Sequence, residues 1–297
     1  MEAKQNIRKN GKHFFVSSFG YCKDFWRDME SGSWEPDTYS IFEEFLSERY
    51  SYIDIGAWIG PTALYGCQLS RHCYAVEPDP IAFGIFMKNI DLNPELKNIL
   101  TPYEVAIWST SGYVNLGTRT SYGDSMSSVA FQSPKEFRSV KSIRLDEFVK
   151  THNINDCNFI KMDIEGGEEI LLPSMKDYFW EKRPALLISF HPYLFNNAEK
   201  NAKAIIDSLS LYKNICYTNG ILLRSEEFFL KLCCKRGFSV VVTDNWNYFK
   251  RFLYILKFNT KTYIRFKMFI AQILFSRYPK FYSFLKNQTR FLNIVKK

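Results

Sequence analysis

Tyr52-Ile53-Asp54-Ile55-Gly56-Ala57-Trp58-Ile59-Gly60-Pro61 decides the fold. The apolar run before Gly56 reads as a short buried strand. The two glycines bound a tight turn, and Pro61 stands where the first turn of a helix accepts proline. A strand that turns into a helix through glycines puts unpaired backbone N–H groups at the strand's carboxyl end, where a ligand can approach closely. A dinucleotide site of this type shows Gly-x-Gly-x-x-Gly. Here the spacing is Asp-x-Gly-x-x-x-Gly, with a carboxylate two positions before the first glycine. That carboxylate would repel a pyrophosphate and attract an ammonium group. On its own, the segment has a second reading, an ordinary tight turn that needs glycine.

The strand–helix alternation continues outward. Pro36 to Arg49 has helical spacing, with Tyr39, Phe42, Phe45 and Leu46 on one face. Cys73–Val76 is a second strand and is followed by Glu77; residues 80–92 read as a helix. Further strands are expected near Tyr103–Ile107, at Phe159–Met162, at Leu186–Phe190 and at Ser239–Thr243, with a helix over 198–210. This alternation predicts an α/β fold: a Rossmann-like, doubly wound, mainly parallel sheet covered on both faces. Ligands of such sheets bind at the carboxyl ends of the strands. Asp54 to Gly60, Glu77, Asp163 to Glu165 and His191 all fall at those ends. Glu77 lies 21 positions after Gly56, where an acid accepts hydrogen bonds from both ribose hydroxyls of an adenosine. Its alternative is a solvated surface glutamate.

Composition sets the limits. The chain has 297 residues, 46% of them hydrophobic, enough for one large α/β domain with appendages. No apolar run approaches the roughly 20 residues that cross a bilayer. Met1 to Lys12 is polar and basic, unlike a secretory signal. Seven cysteines include no Cys-x-x-Cys pair, so neither a disulfide framework nor a zinc pattern emerges, and the pair Cys233-Cys234 reads as two buried thiols. A reducing, cytoplasmic compartment is expected. The net charge is +8, but Lys250 to Lys297 holds 12 Lys/Arg and no Asp/Glu. The first 249 residues therefore carry 27 basic and 31 acidic side chains, a balance of −4.

Four segments together resemble the FkbM-type methyltransferases that use S-adenosylmethionine (SAM). They are Tyr52 to Gly60, Ala75-Val-Glu-Pro-Asp79, Glu104-Val-Ala-Ile-Trp108 followed by Gly112, and Phe159-Ile-Lys-Met-Asp-Ile-Glu-Gly166. The last is the most specific. The resemblance spans roughly residues 35 to 195. It implies SAM as cofactor and methylation of a hydroxyl oxygen, on a sugar or glycan precursor or on a secondary metabolite. It also implies that Asp54, Gly56 and Gly60, with Ala57 between them, line SAM. Glu77, beside Pro78, would hold the ribose, Ala106 would lie near the adenine, and Asp163 would face the methyl group. Gly166-Gly167-Glu168 departs from the commoner Gly-Ala-Glu, a difference assigned to helix packing. The domain expected from these marks is 37–248, after a lead-in over 1–36 that reads as irregular, and before a tail over 249–297.

Methyl transfer from a sulfonium is an in-line displacement governed largely by positioning, and a hydroxyl acceptor must also lose its proton. Asp163 is the first candidate to orient or deprotonate it. Glu165 is either a second catalytic carboxylate or a cap on the following helix. His191, in Ser189-Phe-His-Pro192, suits a general base if it is neutral near pH 7; its alternative is a histidine hydrogen-bonded below the pocket. Asp163 with His191 could bind a divalent metal, but that ligand set is too thin to assign one. Ser125, Ser127 and Ser128, in the polar loop Thr118–Ser128, are candidates for binding the acceptor. Trp34-Glu35-Pro36 could bring an aromatic to the edge of the site.

In the tail, Lys257, Lys261, Arg265 and Gln272 share one helical face and Tyr263, Phe266, Ile270 and Ile273 another. Three partners remain open: an anionic membrane surface, which would place the protein peripherally on the inner face of the membrane; the body or another copy of the chain; and nucleic acid. The third is disfavoured by the lack of an Asn/Asp-Pro-Pro-aromatic segment. Two other functions stand beside methyl transfer. A NAD-dependent sugar oxidoreductase or epimerase is opposed by the missing Gly-x-Gly-x-x-Gly. A non-catalytic, membrane-associated Rossmann-like assembly factor is opposed by the intact Asp54, Glu77 and Asp163.

Overall fold

The computed structural model describes residues 4–18, 22–119, 121–130, 137–195, 198–223, 237–247, 250, 251 and 253–255. The basic amphipathic helix expected around Lys257 to Ile273 lies outside the described residues, as does Cys233-Cys234. By contacts the chain divides into one unit of Met1–Thr218 with Leu222–Asn245 and a second of Asn219–Ile221 with Trp246–Lys297. In the second unit, Trp246 stacks on Tyr254 at 4.8 Å.

The first unit is built on a seven-stranded sheet. In chain order its strands are β3 (Ser51–Ile55), β4 (His72–Val76), β5 (Leu100–Tyr103), β9 (Cys157–Met162), β10 (Ala185–Phe190), β11 (Asn214–Tyr217) and β12 (Phe238–Thr243). Their spatial order is β11-β12-β10-β9-β3-β4-β5. The five strands from β10 to β5 are parallel, and β12 runs antiparallel to both of its neighbours. The expected doubly wound sheet is thus present. The chain proceeds outward from β3 on one side through β4 and β5, and returns on the other side at β9. Such a reversal of direction opens a crevice at the strand ends.

Every residue of β3 is buried, as for a central strand covered on both faces. Side chains alternate between the faces. Ile53 and Ile55, with Ile160 and Met162 of β9, join the apolar core formed with α5 (Leu145–Thr151), α6 (Glu168–Ser174), α7 (Lys176–Lys182) and α8 (Ala198–Leu209). Tyr52 and Phe159 face the other way, onto Phe42 of α2 (Pro36–Phe45) at ring distances of 5.6 and 5.7 Å. Asp54 shares that face and lies in register with Lys161 of the adjacent strand.

Three elements depart from the sequence expectation. Residues 1–36 are not irregular: β1 (Lys4–Lys9) and β2 (Lys12–Ser17) form an antiparallel hairpin, and α1 (Cys22–Ser31) follows. Asn10 and Gly11, both at positive φ, make its two-residue turn. The hairpin is fixed to the sheet layer by the end of α4 (Pro80–Asp91). Asn93 accepts from the Phe15 N–H and donates to its carbonyl, each at 2.7 Å, and Asn89 accepts from the Ser17 N–H at 2.8 Å. Next, the strand expected at Tyr103–Ile107 is two strands: β5 ends at Tyr103, and β6 (Ala106–Ile107) enters a separate sheet of order β6-β8-β7 with β7 (Gly112–Gly117) and β8 (Phe137–Ile143). Finally, α3 (Pro61–Gly66) stops earlier than the expected Leu69: the Gln68 and Leu69 N–H groups donate only three residues back, to the Tyr65 and Gly66 carbonyls.

Candidate functional site

A cavity of about 370 Å³ opens at the carboxyl ends of β3, β4, β9 and β10. That size is within the usual range of small-molecule sites. Gly56, Ala57, Glu77, Pro78, Ala106, Asp163, Glu165, His191 and Ser125, Ser127 and Ser128 all line it. Two residues expected to line SAM, Asp54 and Gly60, are not among those lining this cavity. Asp54 is wholly buried beneath the loop, and Gly60 caps α3 at φ 93°, with Phe86 occupying the space where a Cβ would go.

Asp54 has a different task. Its carboxylate accepts a 2.7 Å hydrogen bond from Thr62 and lies 3.5 Å from the Lys161 ammonium, both of which line the cavity. Lys161 donates in turn to the Gly56 carbonyl at 3.2 Å and lies 3.7 Å from Asp163. Burial works against the Lys161 charge, but Asp54, Asp163 and Glu35 outweigh it and hold the amine protonated. Asp54 therefore fixes the lysine that supports the loop. Gly56 is needed where it stands: its φ is +84°, and a Cβ would meet the Asp163 carbonyl at 1.9 Å.

Glu77 is 7% exposed. One carboxylate oxygen accepts from the Trp58 N–H and the other from the Asp79 N–H, each at 2.7 Å. Burial raises its pKa to about 7 in spite of those bonds. Asp79 caps α4 with one oxygen at the Ile81 N–H. Its other oxygen ties down the polar loop, accepting from the Gly123 N–H at 2.8 Å and the Ser127 hydroxyl at 2.7 Å. Trp58 donates from its indole to the Gly123 carbonyl, and Ser128 donates to the Ile164 carbonyl. Of the three serines expected at the acceptor, Ser127 and Ser128 thus have their hydroxyl protons committed to anchoring the loop, whereas Ser125 is exposed at the cavity.

A family model described as the methyltransferase FkbM domain matches residues 54–216, more than half of the chain and the whole run from Asp54 through β9 and β10. The chain belongs to the FkbM methyltransferase family. Hexuronic acid methyltransferase AglP of Haloferax volcanii is 25% identical to it over 153 residues, 52% of this chain and 61% of that protein. The chain thus spans less than two thirds of that relative's length. Among solved structures, methyltransferase FkbM from Methylobacillus flagellatus KT aligns over 66% of this chain and 44% of that one, with 17% identity and a TM-score of 0.41. Trm5 of Methanocaldococcus jannaschii, solved in complex with adenosine, aligns over 83% of this chain and 57% of that one, with 11% identity and a TM-score of 0.36.

At the far end of the FkbM domain's cavity stand Asp163, Glu165 and His191. The His191 Nε2 lies 3.3 Å from a Glu165 oxygen and 3.7 Å from an Asp163 oxygen. Its Nδ1 is 3.1 Å from Glu168, which is fully buried and also accepts from the Gly166 N–H. Burial would lower the His191 pKa, but the hydrogen bond and charge of Glu168, with the charges of Asp163 and Glu165, overcome it and lift the pKa to about 9. The three carboxylates around the ring bear against the expectation of a neutral imidazole base, because they favour its protonated form. Glu165 is also not a helix cap. It sits at φ 51° outside α6, with its second oxygen on the Arg119 guanidinium.

Sequence reasoning gave Glu168 no role as a partner of the site and Glu35 no chemical role. Glu35 lines the cavity at φ 38°, immediately before α2, and accepts from the Thr38 hydroxyl at 3.0 Å. Burial, reinforced by Asp163, raises its pKa to about 7. A non-glycine residue in the left-handed region at the mouth of a helix is a strained feature of the kind found at functional sites. Among the described residues no helix is long and apolar enough to cross a membrane.

Proposed function

We propose that this FkbM domain is a SAM-dependent O-methyltransferase whose acceptor is a hydroxyl of a sugar or glycan precursor. The observation that carries the reading is a single cavity with Glu77 at one end and the Asp163, Glu165 and His191 group at the other. The residues fit SAM. Glu77, on the cavity wall, has both oxygens fixed by backbone N–H groups with lone pairs left over for the two ribose hydroxyls. Ala106, Val105 and Ile107 give an apolar lining for the adenine, and the Ala57 and Trp58 loop would flank the ribose.

SAM supplies an activated methyl group on a sulfonium. The chain's residues must then hold the acceptor in line and take its proton. Asp163, Glu165 and His191 grip the acceptor oxygens. Glu35 receives the proton, because a carboxylate with a pKa near the working pH is an effective general base. The hexuronic acid named for the Haloferax volcanii relative supports a sugar acceptor and puts uronic acids into the first panel.

Calorimetric titration with SAM and with NAD tests the cofactor. Binding of NAD without SAM overturns the proposal in favour of a sugar oxidoreductase or epimerase, and binding of neither supports an assembly factor. Incubation with labelled SAM and a panel of nucleotide sugars, uronic acids and glycan extracts then identifies the acceptor. Label found only on nitrogen or carbon would refute O-methylation.

A further inference from the structure

The proposed acceptor end contains an arrangement that single roles for its residues do not explain. Each of three side chains is held from behind and presents one free ligand atom to a common point. Asp163 has one oxygen toward Lys161, at 3.7 Å, and the other toward His191. Glu165 has one oxygen on Arg119 and the other toward His191. His191 has Nδ1 on the buried Glu168 and Nε2 toward both carboxylates. One atom from each of the three lies within 4.8 Å of the other two.

We propose that Asp163, Glu165 and His191 form a three-ligand site for a hard divalent cation, Mg²⁺ or Mn²⁺, which holds the acceptor through two adjacent oxygens. The inference rests on the methyl-transfer reading only for the identity of the acceptor. Three independent features support the cation itself.

The first is spacing. Ligands about 2.1 Å from an octahedral cation stand roughly 3 Å apart when adjacent and about 4.2 Å when opposite. Nε2 at 3.3 and 3.7 Å from the two oxygens, with all three atoms within 4.8 Å of one another, lies between these two spacings, so the side chains need shift by less than about 1 Å. The second is the set of partners behind the ligands. A histidine that binds a metal usually gives its other nitrogen to a carboxylate, which fixes the ring and raises its basicity. Glu168 does this from a position with no solvent exposure, and its own oxygens are fixed by the Ile164 and Gly166 N–H groups. The third is charge. Three carboxylates, Asp163, Glu165 and Glu168, converge on the His191 ring, with Lys161 and Arg119 the two basic side chains paired to them. Such an excess in a partly buried cavity calls for another cation.

Two carboxylate oxygens and one imidazole suit Mn²⁺ and Mg²⁺ better than a thiolate-seeking metal. Three protein ligands leave three positions open to the cavity. Two of them match a vicinal diol or a hydroxy acid, a pattern common to sugars and uronic acids. The rival occupant of the same point is a proton on His191.

The test uses the full chain and Mn²⁺ alone, followed by electron paramagnetic resonance, in which bound Mn²⁺ loses the free six-line signal. One Mn²⁺ per chain is expected, released by excess Mg²⁺. Glu168→Gln, which touches no metal, should weaken binding about 10- to 100-fold. Asp163→Asn and Glu165→Gln should weaken it at least as much. Circular dichroism and SAM calorimetry on the same samples show whether each variant is folded. Mn²⁺ left free at millimolar concentration by a folded wild type, or bound equally by wild type and all folded variants, overturns the site. SAM binding without Mn²⁺ binding refutes the cation and leaves methyl transfer standing. Mn²⁺ binding without SAM binding does the reverse.

Discussion

If Glu77 holds the ribose as proposed, it makes the affinity for SAM depend on pH in a calculable way. Its carboxyl is raised from the ordinary 4.5 to about 7 because it is buried. If only the ionised form accepts the two ribose hydroxyls, about nine tenths of the protein is competent at pH 8 and about one tenth at pH 6. Apparent affinity scales with the competent fraction, so the dissociation constant should rise about tenfold between those values. The sign of the linkage follows. A folded carboxyl that holds its proton more tightly than the unfolded chain lowers stability progressively from about pH 4.5 up to 7, by at most about 3 kcal/mol. The bound ribose offsets that loss, so the thermal shift given by SAM should be larger at pH 8 than at pH 6. Calorimetry with SAM across this range measures the first effect. Repeating it with adenosine, which has the ribose but no amino-acid group, removes any titration of the ligand's own amine. Glu77→Gln should lose two charge-assisted hydrogen bonds of roughly 1.5–3 kcal/mol each, so at least about 100-fold in affinity, and its remaining binding should be flat with pH. A constant wild-type affinity for adenosine from pH 6 to 8, or a Gln variant that binds within threefold of wild type, would refute the reasoning.

Four further outcomes follow from the same geometry. Glu35→Gln should lower kcat by about 10² to 10⁴ and abolish the acidic limb of the rate profile near pH 7, while the SAM dissociation constant stays within threefold; an unchanged pH profile removes Glu35 as the base. Gly56→Ala would drive a Cβ to 1.9 Å from the Asp163 carbonyl at a positive φ, so it should abolish SAM binding by calorimetry or cost more than about 3 kcal/mol in denaturant unfolding. Asn89→Ala leaves the buried Ser17 N–H and Ile59 carbonyl without partners, a loss of roughly 3 kcal/mol and about 6–12 °C in Tm by scanning calorimetry; a shift under 2 °C would show that the hairpin does not brace the loop. The basic tail after residue 249 should carry binding to anionic liposomes in a flotation assay, and truncation at 249 should abolish it; no flotation of the full chain excludes the membrane surface.

The parts of this fold that were legible in the sequence are those in which local pattern and tertiary environment agree. β3, β4, β9 and β10 are short, mainly apolar runs in the middle of the sheet, and they are followed by Gly56, Glu77, Asp163 and His191. The hairpin at 4–17 carried a usable signal, Asn10-Gly11 between alternating residues, but its flanks are rich in Lys and Arg and read as solvent-exposed lead-in. Its buried face, Ile7, Phe14 and Val16, packs with residues such as Trp26 of α1, and Asn89 and Asn93, more than 70 positions away, are its hydrogen-bonding partners. The strand break after Tyr103 was not readable either, since β6 differs from β5 only in the sheet it joins.

The site divides along the same line. Gly56, Glu77 and Asp163 were legible because each ends its own strand and needs no distant partner to be recognised. The place of Asp54 was hidden from sequence spacing: register sets it beside Lys161, wholly buried, and it is not among the residues lining the cavity. The charge state of His191 could not be read at all. A histidine at a strand end becomes a cation or a metal ligand according to how many carboxylates converge on it. Here Asp163, Glu165 and Glu168 come from one eight-residue stretch, Asp163–Ile170, whose left-handed Glu165 and Gly166 fold it back on itself. Two acids five positions apart can share one imidazole only through that reversal, and φ at Glu165 and Gly166, not the residue types alone, therefore decides the chemistry of the acceptor end.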